Sequence, residues 1–106
     1  MSNHDFTLKS GAKLHLSTAP FEAAVLLVEA VKKASAGKDP GMDVGDAVLT
    51  DPEVRKALYG VFEFITYDNV RVGPGLFDDL KMGERARGDY FEIGAKAIQV
   101  NCLPFF

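Results

Sequence analysis

Tryptophan is absent from this chain, cysteine occurs once, and positive charge is outnumbered by negative. The lone Cys102 cannot close an internal disulfide, which points to a reducing compartment. Twelve Lys and Arg against fifteen Asp and Glu leave a net charge of −3, too little basic surface for a duplex nucleic-acid binder. The opening residues MSNHDF lack the basic-then-apolar layout of a secretory leader, so secretion is not expected. The most apolar stretch, Ala19–Ala36, is too short and too charged to span a bilayer. No internal repeat and no low-complexity segment interrupts the 106 residues, which suffice for one domain, 1–106, with its own core. With 47% hydrophobic and 25% charged residues, the composition is that of an ordinary globular protein.

What is present is organised around Ala19–Ala36. On a helical wheel Glu22, Glu29, Lys32 and Lys33 share one narrow stripe, and nearly everything else is apolar. Such a wide apolar arc predicts a helix surrounded by its neighbours. Thr18 is placed to cap it, Pro20 sits near its first turn and Gly37 ends it. Lys32 and Lys33 suit the negative end of the helix dipole.

Before this helix, Phe6–Lys9 and Leu14–Ser17 alternate apolar and polar residues around the turn-forming Ser10-Gly11-Ala12-Lys13. The pattern predicts a β-hairpin whose buried face is Phe6, Leu8, Leu14 and Leu16. A lone hairpin is marginal in water, so that face must pack on helices. After the helix, Gly37–Gly41 breaks the chain and Val44–Leu49 reads as a short helical turn. Thr50 and Glu53 have capping-box spacing, and Val54, Leu58, Val61, Phe62 and Ile65 recur at helical spacing, predicting a helix over Asp51–Ile65. Tyr67-Asp68-Asn69 reads as a turn, Val70–Val72 as extended and Leu76–Leu80 as a helical turn. Asp89 and Glu92 would cap a last helix to about Asn101, with Tyr90, Ile93, Gly94, Ala97 and Ile98 on one face. Gly83 and Gly88 leave its start open. Small Gly94, Ala95 and Ala97 would let it approach another helix closely. The expected fold is α+β and mostly α-helical, an N-terminal β-hairpin packed on a small bundle of about three to four helices.

No enzyme constellation survives inspection. His4 and His15 have no carboxylate or cysteine at metal-ligand spacing, and structural zinc wants four such ligands. Cys102 is not at a helix N-terminus that would lower its pKa, so it reads as buried and inert. Asp78-Asp79 reads as helix-capping or solvated rather than as an acid–base pair. Gly73-Pro74-Gly75 lacks the Lys and Ser/Thr of a phosphate loop. Arg87-Gly88-Asp89 spells an integrin tripeptide, but at a helix entry in a chain with cytoplasmic character it reads as chance. No cofactor is expected.

Three segments in order carry a resemblance. They are Phe6–Leu14 leading through Ala19-Pro20-Phe21, then Thr66-Tyr67-Asp68 with Phe77-Asp78-Asp79-Leu80, then Asp89-Tyr90-Phe91-Glu92-Ile93 closing on Val100–Phe106. This order resembles the small tail assembly chaperones of long-tailed, non-contractile bacteriophages and related prophages. The resemblance implies a non-enzymatic task in the host bacterial cytoplasm. That task is to bind the apolar, helical tape-measure protein and keep it soluble while tail-tube subunits polymerise around it, with the tail-tube protein as a further partner. It also implies self-association as a homo-oligomer, and a longer form made by frameshifting near the end of the reading frame. Nucleic acid and membrane are not expected partners.

A holdase for an apolar helix needs exposed aromatic or aliphatic surface ringed by charge. Tyr59, Phe64, Phe91, Phe105 and Phe106 are the partner-binding candidates, because neither their helix faces nor their positions require burial. Ordinary core or edge packing is the competing explanation for each. Two other classes stay open: a structural head–tail or tail component retained in the virion, and an antitoxin-like or regulatory binding module.

Overall fold

In the computed structural model, which describes residues 3–35 and 46–102, the expected hairpin forms from antiparallel strands β1 (Asn3–Thr7) and β2 (Lys13–Ser17), the first starting three residues before the alternating run Phe6–Lys9, whose Leu8 and Lys9 lead into the turn. Phe6 stands opposite Leu14 and His4 opposite Leu16. Leu8, Leu14 and Leu16 are buried and Phe6 is half-buried, with the Lys96 ammonium 4.7 Å from its ring centre. The expected hairpin face is therefore the observed one. Its turn closes through Leu8 N–H donating to the Ala12 carbonyl at 2.9 Å, and Gly11 takes φ +92°, where a side chain would be strained.

The hairpin is half of a larger sheet. β3 (Ile65–Tyr67) pairs with β2, and β4 (Val70–Arg71) pairs with β3, giving the antiparallel order β1-β2-β3-β4. Asp68 and Asn69 connect the last two strands with φ of 47° and 69°, the paired left-handed conformation of a tight hairpin turn. Tyr67 thus belongs to a strand and not to the turn. Ile65, whose spacing continues the preceding helix, leaves it to pair with Leu16. The open edge of β2 supplies backbone partners that one more helical turn would not.

Six helices follow from the described residues: α1 (Phe21–Ala34), α2 (Asp46–Thr50), α3 (Pro52–Phe62), α4 (Pro74–Phe77), α5 (Gly83–Gly88) and α6 (Tyr90–Cys102). The α+β class stands, with α1, α3 and α6 packed together and α6 also against β2. Val54, Leu58, Val61 and Phe62 of α3 and Ile93, Gly94, Ala97 and Ile98 of α6 are buried as their periodicity predicts. A Cβ on Gly94 would stand 2.6 Å from the Leu49 side chain, so its smallness lets α6 approach α2 closely. Asn101, buried on α6, accepts from Ala19 N–H at 2.9 Å and so ties the entry of α1 to the end of α6.

Several caps differ from expectation. Pro20, not Thr18, is the N-cap of α1: its carbonyl accepts the first intrahelical bond from Ala24 at 3.0 Å, and no side chain caps the helix. Proline sets φ without needing a donor, so the helix starts after it. At α3 the cap is Asp51, whose Oδ1 accepts from Glu53 N at 2.9 Å and Val54 N at 3.2 Å. Thr50 cannot serve there because it closes α2. Asp89 and Glu92 form no capping box. Glu92 Oε1 accepts from Lys9 N at 3.2 Å, and the Asp89 carboxylate turns to the sheet. Gly83 and Gly88 bound a helix of their own.

α1 is not surrounded. Ala24, Leu27, Val28 and Val31 are buried, while Phe21 is 67% and Leu26 59% exposed. Gly37, Val44 and Leu103–Phe106, with the helix end and terminal phenylalanines expected there, lie outside the described residues. No helix among the described residues is long and apolar enough to cross a membrane.

Candidate functional site

Three helices bring aromatic rings together. α3 contributes Tyr59 and Phe62, α4 contributes Phe77, and α6 contributes Tyr90 and Phe91. Phe62 is buried and central: its ring centre lies 6.0 Å from Tyr59, 6.4 Å from Phe77 and 6.5 Å from Tyr90, mostly edge to face. Tyr90 in turn stands 5.8 Å from Phe77 and 5.6 Å from Phe91. The favoured edge-on geometry adds to the area each ring buries. Tyr90 Oη donates to the Leu49 carbonyl at 2.6 Å, and burial first, then the neighbouring Tyr59, pushes its pKa up to about 12. At the two ends of this continuous cluster Tyr59 and Phe91 reach solvent, 42% and 41% exposed.

Two of the candidates named from sequence are thus joined through buried Phe62 and half-buried Tyr90. Tyr59 also borders a surface groove lined by Val70, Val72, Pro74 and Leu76. Phe64, 37% exposed, sits elsewhere, at the turn from α3 to β3, where its carbonyl accepts from Ser17 N at 2.9 Å. Phe105 and Phe106 fall outside the described residues. Four exposed apolar residues were missed from sequence: Phe21 and Leu26 on α1, Val70 on β4, and Leu80. Leu80 is fully exposed in the loop after α4, and Leu26 lines a groove between α1 and α3 with Ala30 and Ala57 at its floor and Glu29, Lys33, Glu53 and Lys56 around it. The wheel held the signal for Leu26, which falls on the same side as Glu22 and Lys33.

A polar cluster adjoins the aromatic one along the chain, at Asp89 next to Tyr90. The buried Asp89 carboxylate accepts, through Oδ2, from Ser10 Oγ at 2.5 Å and from Tyr67 Oη at 2.6 Å. Tyr67 Oη in turn accepts from Arg85 Nε at 3.0 Å, and the Arg85 guanidinium stacks over the Tyr67 ring and pairs with Asp68. Asp68 Oδ1 also accepts from Lys13 N at 2.7 Å, and these bonds, the Lys13 amide first, hold its carboxyl below the usual range. Burial first, then the bond to Asp89, raises the Tyr67 pKa. These bonds tie the β1–β2 turn, β3 and α5–α6 together.

Cys102 is buried and desolvation pushes its thiol up to about 12, which leaves almost no thiolate near neutral pH. Among the described residues no group of His, Cys, Asp and Glu could hold a metal ion. Asp79 caps the loop before α5, accepting from Lys81 N and Met82 N, and Asp78 pairs with Arg87 at 3.0 Å. The motif segments Ser10–Lys13, Tyr67-Asp68 and Asp89–Glu92, far apart in sequence, meet in these two clusters. No family model, no curated protein and no solved structure matches the chain.

Proposed function

We propose that the chain is a tail assembly chaperone of a long-tailed, non-contractile bacteriophage or prophage. It binds the tape-measure protein and keeps that apolar helix soluble during tail-tube assembly, as a self-associated, non-enzymatic protein. The observation that carries this reading is the aromatic cluster, in which buried Phe62 and half-buried Tyr90 hold Tyr59 and Phe91 at the surface. An amphipathic or apolar helical client binds through just such side chains, with charge around them for solubility. The order of the motif segments points to the same family.

Co-expression tests it. The tape-measure protein encoded alongside the chain is expected in the soluble fraction only when the chain is present, and to co-purify with it. Replacing Tyr59 and Phe91 together by Ser is expected to lower client recovery with helicity unchanged. A client that stays insoluble in either case overturns the reading. Detection of the chain in purified virions would instead favour a retained head–tail or tail component.

A further inference from the structure

The last turn of α6 is fixed beside the entry of α1. Asn101 Oδ1 accepts from the Ala19 N–H at 2.9 Å, and Asn101 Nδ2 donates to the Ala97 carbonyl at 2.9 Å. Ala19, Asn101 and Cys102 are all buried, so this junction is part of the core. Phe21 opens α1 two residues beyond Ala19, yet 67% of its surface is in solvent, more than for any other phenylalanine or tyrosine among the described residues.

Directly after Cys102 the sequence reads Leu103-Pro104-Phe105-Phe106. Pro104 lacks the N–H that a further helical turn would need. Four residues span at most about 14 Å when extended, while Ala19 and Phe21, two apart, lie within about 7 Å of each other. Phe21 is therefore in reach of Phe105 and Phe106. The far end of α1 is not, because Lys33 lies about 18 Å farther along the helix axis than Phe21.

Reach, tether and charge select this segment to cover Phe21 ahead of a separate molecule. A segment joined to the junction by so short a connection has an effective concentration on the order of millimolar, well above that of a second copy or a client at micromolar concentration. None of its four side chains is charged, so Glu22, exposed beside Phe21, meets no like charge and no unpaired cation. Phenyl rings brought edge to face also gain more than the area they bury.

We propose that Phe105 and Phe106 pack on Phe21 of their own chain, as a strap that joins the end of α6 to the first turn of α1. This gives the two residues a place within the molecule instead of the partner-binding one expected from sequence, and it depends neither on the client nor on self-association.

Tryptophan is absent from the chain, so Phe105→Trp supplies a single fluorescent reporter in the full-length protein. Its emission is expected to be blue-shifted from that of the same variant unfolded in urea, by an amount that stays constant across the micromolar range. Adding Phe21→Ser is expected to move the emission back toward the unfolded wavelength with helicity unchanged, and adding Phe64→Ser to leave it in place. Emission at the unfolded wavelength in the folded reporter overturns the proposal. So does a blue shift that grows with concentration, which would give the segment to a second copy. A shift that survives Phe21→Ser, or is lost with Phe64→Ser instead, would seat the segment elsewhere and overturn it too.

Discussion

Tyr67 joins more of the molecule than any aromatic residue on the surface. Its ring is fully buried in β3, yet its hydroxyl donates to Asp89 and accepts from Arg85, so strand, helix and turn share one polar centre. A buried carboxylate that loses a donor retains its desolvation cost. Tyr67→Phe is therefore expected to destabilise by about 1–3 kcal/mol, read as a lower urea midpoint with unchanged slope. A variant with the native midpoint would show that Ser10 alone satisfies Asp89. Tyr67 and Asp89 were visible in the sequence as members of separate motif segments. Their meeting was not, because a bond spanning 22 residues leaves no local periodicity. Tyr59 was readable as off the apolar face of its helix and Phe62 as on it, whereas the contact of the Phe62 ring with Tyr90 depends on how α3 and α6 cross.

At the level of elements, local patterning served the hairpin well. Alternation placed Leu14 and Leu16 on one face and His15 on the other, and the sheet buries the leucines while His15 pairs with Asp5 in solvent. Leu14→Ala is expected to cost roughly 2–5 kcal/mol, as for other fully buried leucines, and His15→Ala little. Equal losses in thermal melts of the two variants would contradict the observed register. Helix ends were read less well. Thr50 had the spacing of a cap and Ile65 the spacing of a core helical position, but neighbouring elements claimed both, α2 the first and β3 the second. Propensity and spacing are local, and the competition for a residue is settled by whichever element satisfies its backbone.

Across the whole molecule, burial raises three weak acids in the same direction. Cys102 moves from 9.0 to about 12, Tyr90 from 10.0 to about 12, and Tyr67 upward from 10.0. Each keeps its proton in the folded chain at a pH where the unfolded chain releases it. The folded state thus binds more protons, and stability falls as pH rises. The loss is expected to begin near pH 9.0, where the unfolded thiol ionises, and to continue toward pH 12. Chemical denaturation at stepped pH checks it, and Cys102→Ala should remove the earliest part of the decline. A flat profile through that window would mean that these groups stay solvated in the folded protein.

By itself the sequence determined the α+β class, the buried face of the hairpin and the buried stripes of α3 and α6. Each follows from a repeat of two or 3.6 residues that any folded chain of this pattern must satisfy. It also determined that Cys102 has no disulfide partner within the chain. Only the tertiary structure decided that the hairpin grows into a four-stranded sheet: the sequence reads Val70–Val72 as extended, but it gives Ile65 to the helix and Tyr67 to a turn, and β3 forms by pairing with the existing edge of β2. It also decided how far the apolar arc of α1 is covered: the wheel already set Leu26 on the charged side, and Phe21 is exposed as well. Leu27 and Leu26 are the same residue type one position apart, and the packing of α3 and α6 buries the first and leaves the second in solvent.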